Sequence, residues 1–335
     1  MTPVPQVRGS AYLPFVEFLD KADVFVERGI ERDLVPAIVH RDGEALVPVH
    51  LAHSFLEKGA RKLGRDDFGV LVGRNFQICE LGAFGRSICR SLTLHDALTK
   101  LRSTFSLYSS AERVWWTQKT KETVCFCHAY VHKTGPGSRH ARHCALLLMR
   151  AAVRLAAGSH WQPACVLVQD LDDILILKEE FSDPEFCRPE VSGFTFPASM
   201  LSLPLRQRGA LSCAIPDKDA FDSATPSDDF LGSLRQVIAT LLPEGQCGLE
   251  HVAQALGMHP RTLQRKLSAL GQDYSELLSQ IRFEKTLLLM QDPDFRIFDI
   301  ALELDFQDAS NFSRSFRQWT GVTPTEFRKT QQNRH

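Results

Sequence analysis

No segment of this chain is apolar for long enough to cross a membrane; runs such as Ala145–Met149 and Leu287–Met290 fall far short of the ~20 residues a span requires. Met1–Ser10 lacks the charged region leading into an apolar core that a secretory signal needs, so a soluble, cytoplasmic protein is expected. The nine cysteines include no CxxC pair and are irregularly spaced, which suits thiols that stay reduced in that compartment. Neither a GxxxxGK phosphate loop nor a GxSxG nucleophile elbow is present, so nothing marks an enzyme and no cofactor is expected. Excess positive charge is missing too. The net charge is −1, and Asp228–His335 holds 12 Lys and Arg against 14 Asp and Glu, a formal charge of −2. Any case for nucleic-acid binding rests on where particular cations sit, not on bulk charge.

What the chain does have is material for packed cores: 44% hydrophobic residues, 22 of them Phe, over a length that suits two domains. The sharpest change in composition is Ala214–Asp229, with two prolines, a cluster of acids and little apolar periodicity, which reads as an exposed linker. Before it the pattern is mixed. Tyr12–Arg28, Pro48–Leu63, Leu92–Tyr108 and Arg139–Ala157 have helical apolar spacing. Arg113–Thr117 and Glu122–Tyr130 read as a hairpin around Lys119-Thr120-Lys121, and Ala164–Gln169 as a buried strand. The expected layout is an α+β domain over 1–213, a linker over 214–229 and an all-α domain over 230–331.

The all-α part contains two units of the same design, 249–270 and 297–320. Leu249, Val252, Ala253 and Leu256 form one face of a short helix. Gly257 can take the positive φ of a sharp turn, and Pro260 suits the first turn of the next helix. That helix, Arg261–Leu270, would bury Leu263, Leu267 and Leu270 and show Arg261, Gln264 and Arg265. Arg pairs bidentately with guanine and Gln with adenine in the major groove. Forty-eight residues on, Ile297, Ile300, Ala301 and Leu304 repeat the first face. A turn at Asp305-Phe306 leads to a helix over Asp308–Trp319 that would bury Phe312, Phe316 and Trp319 and expose Ser310, Asn311, Arg314 and Arg317. Ser275–Gln291 reads as a single helix of about 25 Å joining the units, a spacer suited to the ~34 Å repeat of successive major grooves.

Leu249–Leu267 (LEHVAQALGMHPRTLQRKL) and Ile297–Arg328 (IFDIALELDFQDASNFSRSFRQWTGVTPTEFR) resemble the two halves of the AraC/XylS-type DNA-binding domain, with NFSRSFRQWTGVTP especially close to its C-terminal signature. The resemblance implies that both recognition helices enter the major groove, with Arg261, Gln264, Arg265, Ser310, Asn311 and Arg314 nearest the bases. Lys266, Arg317, Arg328 and Lys329 are expected at phosphates. Asp67–Leu81, Leu94–Leu101 and Trp161–Val168 are similar to the N-terminal domain of the ornithine/arginine-type AraC regulators, unlike the cupin barrel of the arabinose sensor. That likeness implies effector sensing and dimerisation. The implied partners are double-stranded operator DNA, RNA polymerase, a small-molecule effector of unknown identity and a second copy of the chain. Two positions depart from the family pattern. His259 stands where a capping Ser is usual, and Asp305 stands at the second turn in place of Gly. Asp tolerates the left-handed region, but its charge would face passing phosphates, so Asp305→Gly is expected to raise both stability and DNA affinity.

Other candidates carry less. Cys125 and Cys127 would point the same way on a strand, yet a free cysteine is usually a small buried hydrophobe. His128, His132, His140 and His143 have no carboxylate-rich or CxxC partner motif, so they read as polar surface and no metal site is expected. Arg86 and Arg90 match half of a cyclic-dinucleotide motif whose other half is absent. Two alternatives belong to other classes. A DNA-repair alkyl-transfer protein with an AraC-type domain would use a Pro-Cys context, and none occurs. A helical adaptor would use its arginines only to solvate a surface.

Overall fold

The computed structural model describes residues 1–22, 34–182, 184–206, 225–292 and 294–332. Residues 23–28 of the expected first helix, 207–213 of the expected N-terminal domain and 214–224 of the expected linker lie outside the described residues. Two compact units emerge, Pro5–Asp228 and Asp229–His335, the second joined by Met1–Val4. That tetrapeptide is expected from the sequence in the N-terminal domain; instead Val4 N donates to Ser233 Oγ at 2.8 Å inside the helical unit.

The first unit begins with β1 (Gln6–Arg8), α1 (Leu13–Lys21), α2 (Leu34–Arg41), β2 (Leu46–Pro48) and α3 (Val49–Leu63). Then come α4 (Phe68–Gly73), α5 (Gly82–Cys89) and α6 (Leu94–Tyr108), the last opened by a reciprocal capping box between Thr93 and Asp96. The hairpin of β3 (Glu112–Gln118) and β4 (Thr123–Tyr130) follows, then α7 (Ser138–Ala157), β5 (Cys165–Leu167), α8 (Leu171–Leu177), β6 (Glu185–Cys187) and β7 (Ser192–Pro197). β1 and β2 pair with each other, and the remaining strands form one mixed sheet in the order β3-β4-β7-β5-β6.

Alternation along the strands divides this sheet into two chemically different faces. Val124, Phe126, Val166, Phe194 and Phe196 share a buried inner face, with Trp161 ring-to-ring on Phe194 and Phe196. Cys125, Cys127, Cys165 and Cys187 fall on the other. Cys125 and Cys127 do point the same way, their sulfurs 3.3 Å apart, and Cys165 and Cys187 approach to 3.4 Å. Burial pushes the Cys127 thiol up to about 12 and the Cys165 thiol up to about 11, so both stay protonated and are weak nucleophiles at neutral pH.

Three of the four histidines depart from expectation. His128, His140 and His143 are buried rather than on a polar surface, because β4 and α7 turn them inward, where carboxylates take two of them. His128 Nε2 meets Glu112 Oε2 at 2.8 Å, and His143 Nε2 meets Asp173 Oδ1 at 2.8 Å. Arg142 also donates to Asp173, tying α7 to α8. Burial alone would raise the Asp173 carboxyl, but the bonds and charges of His143 and Arg142 outweigh it and hold it below the usual range.

The second unit is all helix: α9 (Phe230–Leu241), α10 (Leu249–Ala255), α11 (Pro260–Ser268), α12 (Tyr274–Leu289), α13 (Ile297–Glu303), α14 (Ala309–Thr320) and α15 (Pro324–Gln332). α9 starts at Asp229, whose carboxylate accepts from Gly232 N, and its fully buried Leu234, Val237, Ile238 and Leu241 seat it in the core.

The N-terminal unit should weaken in mild acid. Burial pulls both His53 and His140 down from the ordinary 6.5 to about 4, with Arg139 and His143 adding to the effect at His140. Between those values the unfolded chain binds more protons than the folded one, so stability rises with pH across the window. Each histidine contributes a loss of up to about 1.4 kcal/mol per pH unit as pH falls. Urea denaturation of the full chain at pH 7 and pH 5 is expected to show that loss, reduced in His140→Gln; a midpoint unchanged between the two pH values refutes the assignment.

Candidate nucleic-acid interface

α10 and α11 form the first helix-turn-helix. Val252, Ala253, Leu263 and Leu267 are buried, and Gly257 makes the turn at φ 65°. His259 caps α11 where a serine is usual. Its Nδ1 accepts from Arg261 N at 3.2 Å, and Pro260 occupies the first helical position. Leu270 is 43% exposed, against expectation, because α11 stops at Ser268 and Leu270 falls in the turn that ends at Gly271. Arg261, Gln264 and Arg265 are all exposed on one side of the helix.

α13 and α14 form the second unit over Ile300, Ala301, Leu304, Phe312 and Phe316, all buried. Asp308 caps α14, accepting from Asn311 N at 2.7 Å and from Asn311 Nδ2 at 2.9 Å. The Asn311 carbonyl in turn accepts from Arg314 Nη2. Arg314 is thereby held in place, with one of its five N–H donors engaged in that bond. Asn311 is half-buried and its amide largely spent on these neighbours, while Ser310 and Arg314 are exposed.

The expected phosphate contacts divide. Arg317 and Lys329 are exposed. Lys266 is half-buried, with its ammonium 4.8 Å over the Phe230 ring. Arg328 turns Nε and Nη2 into the domain, where both are buried and unbonded. Helical spacing alone decides neither of these two placements.

α12 ties the second unit to the segment that precedes the first. On that segment, Tyr274 OH donates to Cys247 O at 2.6 Å, Lys285 Nζ to Ala239 O of α9 at 2.8 Å, and Arg235 of α9 pairs with Glu284 at 2.6 Å. Toward the second, Ser279 Oγ accepts from Trp319 Nε1 at 2.8 Å, and Phe283 meets the Trp319 ring. Arg282 donates to Leu304 O and Asp305 O, both at 2.9 Å, and stacks 4.5 Å over Phe306.

Asp305 does adopt positive φ, 56°, alone among the described non-glycine residues. Its carboxylate, however, does not stand toward solvent as a bare charge. Oδ2 accepts the Cys247 thiol at 2.8 Å and lies 3.7 Å from Arg282 Nη2. Burial first, and then this carboxylate, push the Cys247 thiol up to about 12, so it remains an S–H donor. The expected gain from Asp305→Gly is thus overturned. Glycine relieves about 1 kcal/mol of backbone cost, but it removes a charge-assisted hydrogen bond of about 1.5–3 kcal/mol. Asp305→Gly should lower stability by about 1 kcal/mol net, and Asp305→Asn, which keeps a polar acceptor, by less. Arg282→Met, which strips two carbonyls of their donor, should cost about 2–3 kcal/mol. Thermal melts of the three variants decide; an Asp305→Gly melting point above that of the parent means that the thiol–carboxylate bond contributes nothing.

Two family models match the chain. The arabinose-binding domain of AraC transcription regulator, N-terminal, matches residues 29–205, and a helix-turn-helix domain matches residues 252–330. The HTH-type transcriptional regulator VirS of Mycobacterium tuberculosis is 38% identical over 105 residues, 31% of this chain and 30% of that protein. The ornithine utilization regulator of Pseudomonas aeruginosa is 40% identical over 81 residues, 24% of each chain. These matches span less than a third of the relatives' own length. The crystal structure of transcriptional regulator CdpR from Pseudomonas aeruginosa aligns over 96% of this chain and 98% of that one, at 19% identity and a TM-score of 0.43. With its N-terminal model covering more than half of its residues and a helix-turn-helix model following, this chain belongs to the AraC family of transcription regulators.

Proposed function

We propose that the protein is a cytoplasmic, sequence-specific DNA-binding regulator that activates transcription under the control of a small molecule bound by its N-terminal unit. One observation carries this reading: Arg265 and Arg314 occupy the same slot of two recognition helices, both exposed, with one helix tying the second unit to the segment that precedes the first. Arg261, Gln264 and Arg265 read base edges in one major-groove segment. Ser310 and Arg314 read the next, with Asn311 holding Arg314 in place. Arg317 and Lys329 contact phosphates. Lys266 joins them only by leaving the Phe230 ring, and Arg328 only by turning its guanidinium outward. Operator DNA and RNA polymerase are the macromolecular partners, and a second copy of the chain completes a dimer on paired sites. No helix among the described residues is long and apolar enough to cross a membrane. The protein works by binding and has no catalytic step.

The test is a gel shift on the promoter next to the protein's own gene. Arg265→Ala should lose about 1–3 kcal/mol of binding on that operator and little on random DNA. Lys329→Ala should weaken both alike and flatten the salt dependence by about one unit of slope. Equal losses from Arg265→Ala on operator and random DNA would demote that residue to a phosphate contact, and a wild-type chain that shifts neither DNA would favour the adaptor reading.

A further inference from the structure

The N-terminal unit holds a pocket of about 90 Å³. Its walls come from β1, α1, α5, α6, β3, β4 and α7, and they are mainly aromatic and aliphatic: Tyr12, Phe15, Phe84, Phe105, Leu148 and Met149. Two polar groups of the sheet's inner face close one side, Glu112 from β3 and His128 from β4. They are bonded to each other at 2.8 Å, and His128 is 1% exposed. Its second ring nitrogen, Nδ1, is buried with no hydrogen-bond partner. A buried polar atom so placed is what a ligand's polar group would satisfy, and the Tyr108 hydroxyl on the α6 wall is a second one without a partner.

The chemistry of the lining selects the ligand. Among the described residues no Lys or Arg lines the pocket, and Glu112 is the only acid that does. A carboxylate or phosphate ligand would meet like charge with no counter-ion. In the tautomer that donates Nε2–H to Glu112, Nδ1 presents a lone pair, so a ligand group that faces it must donate. The aromatic rings give edge and face contacts to a flat apolar body. Size sets a further limit, since an apolar cavity of about 150 Å³ suits benzene. A single six-membered ring therefore enters only as Leu148 and Met149 give way, which unbranched Met does readily.

We propose that this cavity is the effector site and that it takes a neutral, single-ring molecule with one hydrogen-bond donor, of the phenol class. The inference rests on the reading of this unit as the sensing domain. Phenol, toluene and benzoate are matched probes of nearly equal size: one donates, one cannot, and one carries the wrong charge. Calorimetry and thermal shift on the full chain should show phenol binding, toluene weaker by about tenfold for want of one hydrogen bond, and benzoate not binding. Ala145→Leu, on the α7 wall of the cavity, should weaken phenol at least tenfold while leaving operator binding without ligand unchanged. The ranking of the three probes on the parent chain stands as a test even if that variant fails to fold. Toluene equal to phenol, benzoate equal to or tighter than phenol, or Ala145→Leu binding phenol like the parent overturns the proposal. A gel shift on the same preparation separates the two readings. Operator bound with no probe bound overturns this site and leaves DNA binding standing; the phenol ranking obtained without operator binding does the reverse.

Discussion

Arg282 lies beneath the turn of the second helix-turn-helix, and its guanidinium serves three partners at once. It bonds the carbonyls of Leu304 and Asp305, faces the Asp305 carboxylate and covers the Phe306 ring. The same carboxylate reaches Cys247, whose own carbonyl is held by Tyr274 from the start of the linker helix. The path from Tyr274 to Cys247 to Asp305 to Arg282 thus closes on a single helix. That closure fixes the second turn relative to the segment that leads into the first unit. Two recognition helices can address successive groove segments only if their relative pose survives in the free protein, since every degree of freedom frozen on DNA subtracts from affinity. The ring of contacts does this with side chains other than those on the exposed faces of the two recognition helices.

The N-terminal unit solves a different problem with similar means. Its core holds an unusual number of ionisable groups, including Glu112, His128, His143, Asp173, Arg142 and Arg150. Glu112 and His128 join β3 to β4, and Arg142 and His143 join α7 to α8 through Asp173, so these polar pairs register neighbouring elements. His128 also lines the pocket, and its second ring nitrogen is buried without a partner. Binding capacity and fold specificity are therefore drawn from the same set of residues.

Much of the helical unit was legible in the sequence because its signals are local. Val252 and Ala253, Ile300 and Ala301 repeat at helical spacing, and Gly257 and Asp305 mark the two positive-φ turns. The exposed sides of both recognition helices follow directly from that periodicity. What local pattern could not supply was the fate of long side chains. Lys266 lies over Phe230, thirty-six residues away, and Arg328 folds inward, though both have the same helical spacing as residues that stay outside. Asp305 read as a bare charge because Cys247, its donor, is 58 residues earlier in the chain. The cavity was invisible for the same reason: residues from Val7 to Met149 line it in seven elements, and no motif joins them. The buried histidines were misread because His140 and His143 share a helix with polar neighbours, while their surroundings come from α4 and α8.

The two recognition helices begin under different caps, and this makes them chemically unequal. α11 starts under a ring whose Nδ1 takes one hydrogen bond, from Arg261 N at 3.2 Å. α14 starts under a carboxylate that takes two, from Asn311 N at 2.7 Å and from the Asn311 side-chain amide at 2.9 Å. Asn311 then passes that constraint one turn further along the helix, to Arg314. The start of α14 is therefore the stiffer of the two, and its stiffness extends to an exposed arginine.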